Sequence, residues 1–370
     1  MKKIMHIVQS AGGVERYIEM LLKNIEGDYE HILVCSYDYS EEFLNSLNIK
    51  YKRISMVREL SFSKDLKSIK EVRKAIKEYR PDLIYTHSSK GGAIGRVANI
   101  GLVKTILYNP HGWAFNMRCG NLKKNIYKYI EKILALFTTK IIVISEFEKE
   151  SALRNKICKE EKIELIFNGI DIDKYEREKD DFNLKRKDFN IDDDAYVIGM
   201  VGRISDQKAP DTFIEVASRI VKQIPKAFFI IVGDGDERKE IEDLIKRKNL
   251  ENKVLITGWV KNSLEYINLF DLATLFSRWE GFGLAVAEYM ESKKPIVASR
   301  VDAIPNLIAN DCGILVEVDN VEQMANSIMK IYKDKEFKDN IVENSYKRVK
   351  EKFDIKRVAL EHKKLIDKII

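Results

Sequence analysis

The sequence predicts an α/β protein made of two units, each a parallel sheet wound with helices on both sides. Three observations carry that prediction. Short apolar runs, among them IMHIVQ, DLIYTHS, KIIVIS, VIGMVG, FFIIVG and KPIVAS, alternate with segments of helical spacing. Such alternation marks strand–helix–strand crossovers in a parallel sheet. Glycines follow several of these runs, as in turns that bring backbone close to a ligand. A length of 370 residues also exceeds what one hydrophobic core usually fills. The charged run from Asp173 to Asp181 is the best linker in the chain. It suggests domains over 1–172 and 191–352, a linker over 173–190 and a terminal helical segment over 353–370.

Apolar and charged fractions of 45% and 33% are those of a soluble globular protein. No apolar run reaches the length of about 18 residues that a membrane-spanning helix needs. The N-terminal lysines precede an apolar run too short for a signal peptide, which reads better as a first buried strand. Cys35, Cys119, Cys158 and Cys312 are scattered without metal-ligand spacing, so reduced thiols in a cytoplasmic protein are expected. The net charge of +6 is uneven: residues 1–175 hold 30 Lys+Arg against 22 Asp+Glu, and the remainder 34 against 36. The basic half is suited to an anionic partner.

In chain order, IMHIVQ runs into SAGGVERYIEMLLKNI, where Gly12 and Gly13 end a strand and open a helix. Such a turn faces phosphate in Rossmann-like units, although by itself it is common. HILVCSY, a helix over 64–79, DLIYTHS, AIGRVANIGL, KTILYNPHG, a helix over 121–137 and KIIVISEFE follow. Two strand ends draw attention because the carboxyl ends of parallel strands line the ligand crevice. THSSKGG offers His87, Ser88, Ser89 and Lys90; NPHGWAF offers His111 and Trp113. In NLKKNIYKYIEKILALF, Lys123, Lys124, Lys128 and Lys132 form a basic side, and Ile126, Ile130, Ile133 and Phe137 an apolar one. It reads either as a surface helix packed on the sheet or as a helix resting on an anionic membrane.

ELIFNGID closes the first half with the turn residues Asn168 and Gly169. VIGMVG then ends at Gly202, followed by Arg203 and Lys208, two cations that can reach one diphosphate. FFIIVGDGDER gives a strand ending at Gly233. Asp234 and Asp236 are oxygen donors of the kind that hold a divalent ion, but a turn beside the nucleotide is the preferred reading. KVLITGWV ends at Gly258 and Trp259. The stretch FSRWEGFGLAVAEYMESKKPIVAS, from Phe276 to Ser299, is a loop, a helix and a strand. Its glycine-flanked loop carries Glu280 and Phe282, and Gly283 and Leu284 open the helix that carries Glu288. Backbone N–H groups at such a helix start suit an anion. Residues 321–351 form a charge-rich helical segment and 356–370 a last helix.

GGVERY, HG, NGID, GR-x4-K, VGDG, TGW and E-x7-E occur here in the order found in retaining glycosyltransferase family 4, which this chain resembles over nearly its whole length. Ala209-Pro210 stands where the family usually has glycine after the lysine. The resemblance implies a GT-B architecture: two Rossmann-like domains facing a deep interdomain cleft, the first binding acceptor and the second a nucleotide sugar, with the C-terminal helix crossing back to the first. It implies transfer of a hexosyl or N-acetylhexosaminyl unit from a UDP-sugar to a lipid-linked or oligosaccharide acceptor in capsule or exopolysaccharide synthesis. On that reading Glu280, His111, Arg203 and Lys208 are catalytic. Gly13, Gly202, Gly233, Gly258, Trp259, Phe282, Gly283, Leu284 and Glu288 bind donor, and His87, Lys90 and Trp113 lie on the acceptor side. No cofactor, metal ion or nucleic acid is expected. The location implied is cytoplasmic, peripheral at the inner face of an anionic membrane. A nonhydrolysing UDP-sugar epimerase and a non-catalytic nucleotide-sugar-binding subunit are the competing readings. An NAD-dependent oxidoreductase is disfavoured by the lack of an intact G-x-G-x-x-G.

Overall fold

The computed structural model describes residues 1–9, 12–57, 59, 61–118, 120–309 and 311–370. Cys119 lies outside the described residues. The chain divides into two compact units, Met1–Ile170 with Ile355–Ile370, and Asp171–Asp354.

The first unit is a seven-stranded sheet of β1 (Lys2–Val8), β2 (Tyr29–Ser36), β3 (Lys50–Ile54), β4 (Leu83–His87), β5 (Thr105–Asn109), β6 (Lys140–Val143) and β7 (Ile163–Leu165). The strand order is β3-β2-β1-β4-β5-β6-β7, with every pair parallel. Alternate residues of β1 serve opposite layers, as strand pleating dictates. Ile4 and Val8 pack with Tyr17, Ile18 and Leu21 on one face. Met5 and Ile7 pack with Val72, Ala75 and Ile76 on the other. The terminal helix Ile355–Ile369 belongs to the first of these layers. It buries Ile355, Val358, Ala359, Leu365 and Ile366, each large apolar side chain contributing about 1.5–3 kcal/mol. The NGID turn receives it: a Cβ on Gly169 would stand 2.9 Å from Ile355 Cα, and Ile355 N–H donates to Ile170 O at 2.9 Å. Glycine is required there because a backbone, not a flexible side chain, fills the space.

The second unit is a six-stranded parallel sheet of β8 (Tyr196–Val201), β9 (Ala227–Val232), β10 (Val254–Ile256), β11 (Leu272–Leu275), β12 (Ile296–Ser299) and β13 (Ile314–Val316). Its order is β10-β9-β8-β11-β12-β13. Phe213, Phe229, Phe276 and Ile328 anchor one of its apolar layers. The stretch 173–190 forms short helices within this unit, and Tyr175 N–H donates to buried Glu291 at 2.7 Å. The helical segment over 321–351 is two helices, Val321–Lys333 and Lys335–Lys352. Asp334 breaks it by adopting extended backbone and accepting the Phe337 N–H at 2.9 Å, a capping bond that competes with helix continuation.

Candidate active site

In the second unit the exit of β8 is built around Gly202. The short turn Asp206–Lys208 follows, and Ala209 takes a left-handed conformation (φ 48°) before Pro210 starts the helix Pro210–Ile220. This reversal lays the Lys208 side chain over Gly202, where a Cβ would stand only 3.2 Å from Lys208 Cγ. Lys208 Nζ then pairs with the Glu280 carboxylate, 72 residues further along. Ser277 Oγ also donates to Glu280, at 3.2 Å.

Arg278 stitches the two loops together. Its guanidinium binds Asp206 at 2.8 Å, Asp211 at 2.6 Å and Asp319 at 3.0 Å, while its N–H donates to Gln207 O at 2.8 Å. Four anchors of this kind hold Glu280 in place without using its own carboxylate. A fifth is Asp302, just past β12, whose Oδ2 accepts the Glu280 N–H at 2.7 Å. Burial, with the Glu280 charge beside it, pushes the Asp302 carboxyl up to about 6. Asp302 was not singled out in the sequence. Its signal was its place beyond the carboxyl end of a parallel strand.

Arg203 donates to Asp236 at 2.8 Å, and its Nε is buried without a partner among the described residues. Asp234 accepts Gly235 N–H at 2.8 Å and pairs with Arg238 at 2.9 Å. Both aspartates of GDGDER are therefore engaged by arginine, in a turn where a Cβ on Gly233 would fall 2.1 Å from Gly202 O. Gly233 bridges to Gly258, and Trp259 beside it is 72% exposed. Gly283 caps the helix Leu284–Glu291 with φ 94°. Tyr289 of this helix accepts the Val201 N–H at 2.7 Å, tying it to the end of β8. Glu288 is buried, with Ser263 Oγ 3.5 Å away. Phe282 is buried too, its ring 5.6 Å from that of Phe353, so its side chain packs inward.

In the first unit His87 closes β4, and His111 follows β5 at φ 50°, held by its N–H donating to Asn109 Oδ1 at 2.9 Å. His87 Nδ1 and His111 Nε2 are 3.1 Å apart. Burial, with His362 nearby, pulls the His111 imidazole down to about 3, so it is neutral. Ser88 donates its N–H to Asn109 O at 2.9 Å, and Ser89 opens the helix Ser89–Ala98. Lys90 is committed within the unit, to Asp65 at 2.5 Å and to Glu59 O at 2.8 Å. Trp113 is a core residue: its indole N–H donates to Glu148 O at 3.0 Å and its ring stacks on Phe115. Gly13 begins the helix Gly13–Asn24, behind Gly12 at φ 84°.

Two family models match in succession, Glycosyltransferase Family 4 over residues 11–174 and Glycosyl transferases group 1 over residues 181–348. An Escherichia coli UDP-Gal:alpha-D-GlcNAc-diphosphoundecaprenol alpha-1,3-galactosyltransferase is 30% identical over 286 residues, 76% of this chain and 74% of that protein. The capsular polysaccharide biosynthesis glycosyltransferase CapM of Staphylococcus aureus is 27% identical, covering 81% of this chain and 80% of its own. Among solved structures, Anabaena HepE in complex with UDP and glucose superposes with a TM-score of 0.86 at 21% identity, over 100% of both chains.

Proposed function

Since the chain belongs to glycosyltransferase family 4 and has the GT-B fold, we propose that it transfers a hexosyl or N-acetylhexosaminyl unit from a UDP-sugar with retention of configuration. The proposed acceptor is a lipid-linked glycan of cell-surface polysaccharide synthesis. The observation that carries this reading is the meeting of Lys208 with Glu280. Two loops far apart in sequence put a cation and a carboxylate on one spot. The E. coli relative, named for a UDP-sugar donor and a diphosphoundecaprenol acceptor, supports the substrate class.

On this proposal Arg203 and Lys208 neutralise the diphosphate, with N–H groups at the start of Leu284–Glu291 adding donors. Each such donor, preorganised at developing charge, is worth roughly 3 kcal/mol. These cations do work that a divalent ion does in other phosphate sites, so activity should survive EDTA. Glu280 grips sugar hydroxyls, and its pairing with Lys208 yields to the diphosphate when donor arrives. Glu288 clamps the ribose hydroxyls, and the base lies by Gly258 and Trp259. The bond from the anomeric carbon to the diphosphate oxygen breaks, and the acceptor oxygen bonds on the same face. The acceptor proton leaves on the diphosphate, and neutral His111 stabilises charge at the sugar. UDP release with candidate polyprenyl-diphosphate acceptors, followed by NMR of the product anomer, tests this. Retention is expected, and an inverted linkage would sink the mechanism.

The membrane side of the proposal rests on the helix Asn121–Leu136. Its inner face is fixed by Glu131, which accepts from Arg96 and from Tyr108, each at 2.8 Å. Its outer face leaves Leu122, Ile126, Tyr129, Ile133 and Leu136 in solvent, with Leu122 at 77% and Leu136 at 75% exposure. That four–three spacing is a continuous apolar stripe with Lys123 on one side and Lys128 and Lys132 on the other. No helix among the described residues is long and apolar enough to cross a membrane. Flotation with phosphatidylglycerol vesicles should retain wild type and lose a Leu122→Glu, Leu136→Glu double variant. Equal flotation would refute membrane docking.

A further inference from the structure

All five histidines of the chain gather in the first unit, and four of them form an unbroken line. His31 Nδ1 lies 3.0 Å from His6 Nε2, His6 Nδ1 lies 3.2 Å from His87 Nε2, and His87 Nδ1 lies 3.1 Å from His111 Nε2. The line crosses four adjacent strands, β2, β1, β4 and the end of β5. His31 at one end is partly exposed, and His6 and His87 are fully buried. Among the described residues, nothing bonds to the outer nitrogens, His31 Nε2 and His111 Nδ1.

A neutral imidazole has one N–H and one lone pair. Each contact in the line needs one of each, so choosing the tautomer of any member chooses that of all four. Either every member carries its proton on Nε2, and His111 shows the site a lone pair at Nδ1, or every member carries it on Nδ1, and His111 shows an N–H. Mixed neutral arrangements would face two lone pairs or two hydrogens across a buried contact, which costs the full desolvation of those groups. Burial lowers the pKa of His6 and His87 well below the ordinary value and that of His31 to about 4. The fifth histidine is separate. His362 Nδ1 donates to Val358 O at 2.9 Å, leaving Nε2 to accept from Tyr17 or Tyr85, at 3.1 and 3.0 Å.

We propose that His31, His6, His87 and His111 act as one tautomeric unit, in which the first three are positioning residues that decide whether His111 offers the reaction a hydrogen-bond donor or an acceptor. The proposal rests on the reading of His111 as a group acting at the transferred sugar. A change of register is balanced. A proton taken up at His111 Nδ1 sends the Nε2 proton of each imidazole to Nδ1 of the next, and one proton leaves from His31 Nε2 to solvent. The line therefore joins the reacting group to the surface by a path of fixed length, without a resident charge.

Nitrogen-15 NMR of protein labelled only in histidine tests this directly, since five residues give a tractable spectrum. The four should be neutral and share one tautomer at pH 7, with coupling between nitrogens across each N–H···N contact, while His362 reports Nδ1–H as an internal reference. Two different neutral tautomers within the line, or no such coupling, would overturn the proposal whether or not any variant folds. His6→Phe cuts the line, and the ring nitrogens of His111 should then move toward averaged shifts. In the same variant kcat should fall roughly tenfold, less than the roughly 10²- to 10⁴-fold that an acid or base acting directly contributes, with donor KM within twofold. His6→Gln, whose amide both donates and accepts, should restore much of the loss. An unchanged His111 spectrum in a folded His6→Phe protein would refute the positioning role. The readouts separate the two ideas: absence of glycosyl transfer in wild type would sink the proposed function, and the tautomer spectrum would still judge the line.

Discussion

The residues gathered beyond the strands of the second unit are charged and mutually paired: Lys208 with Glu280, Arg203 with Asp236, and Arg278 with Asp206, Asp211 and Asp319. Those gathered across β2, β1, β4 and β5 of the first unit are imidazoles that burial keeps neutral. The contrast shows how each region treats charge. On the proposed function, the second unit keeps its cations paired with carboxylates until a diphosphate, a stronger bidentate acceptor, displaces them. A line of neutral rings, buried at its two central members, offers an anion nothing of that kind, but it can control where a proton sits.

The largest effect that would break this comparison is loss of a paired cation. Lys208→Ala should lower transfer by roughly 10²- to 10³-fold in steady-state assays, the scale for one preorganised donor at developing charge. A loss of only a few-fold would mean that the Lys208–Glu280 pair is structural. Next in size is the division between the two glutamates. Glu280→Ala should act mainly on kcat and Glu288→Ala mainly on UDP affinity, each by tens of fold, the usual weight of one charged hydrogen-bonding group. Equal loss of UDP affinity in both would erase the distinction.

A smaller effect concerns pH. Histidines lowered on folding, His31 and His362 to about 4, are neutral in the folded chain and charged in the unfolded one below about 6.5. The first unit should therefore lose stability as pH falls from 6.5 toward 4. In the second unit burial raises Glu291 to about 8 and Asp302 to about 6. The folded state there holds protons the unfolded state has lost, so stability should fall as pH climbs from about 4.5 to 8. Hydrogen exchange followed by mass spectrometry resolves the two units. Glu291→Gln should flatten the response of the second unit alone, and parallel responses of the two units would contradict the assignment.

The difference between the regions also explains what could be read from sequence. Arg203 and Lys208 stand five residues apart on one loop, and Glu280 and Glu288 share one loop–helix segment. Local spacing of that kind survives in a string of letters, as does the alternation that gives two parallel sheets. The histidine line was illegible because its members, at 6, 31, 87 and 111, become neighbours only through strand order, with β1 between β2 and β4. Phe282 and Trp113 drew attention as aromatic residues beside glycine, yet both side chains are buried, because a large ring next to a tight turn is also the simplest filler beneath it. Asp302 stayed hidden for the opposite reason: an aspartate in a polar loop carries no mark until the backbone it holds, that of Glu280, is known.

The most direct test of the central claim is UDP binding by calorimetry to wild type and to Arg203→Ala, Lys208→Ala and His111→Ala. If charge in the second unit holds the nucleoside diphosphate, the two cation variants should each weaken binding by roughly tenfold or more, at about 1.4 kcal/mol per factor of ten, and His111→Ala should match wild type. Undiminished affinity in the cation variants, or a loss confined to His111→Ala, would contradict the account.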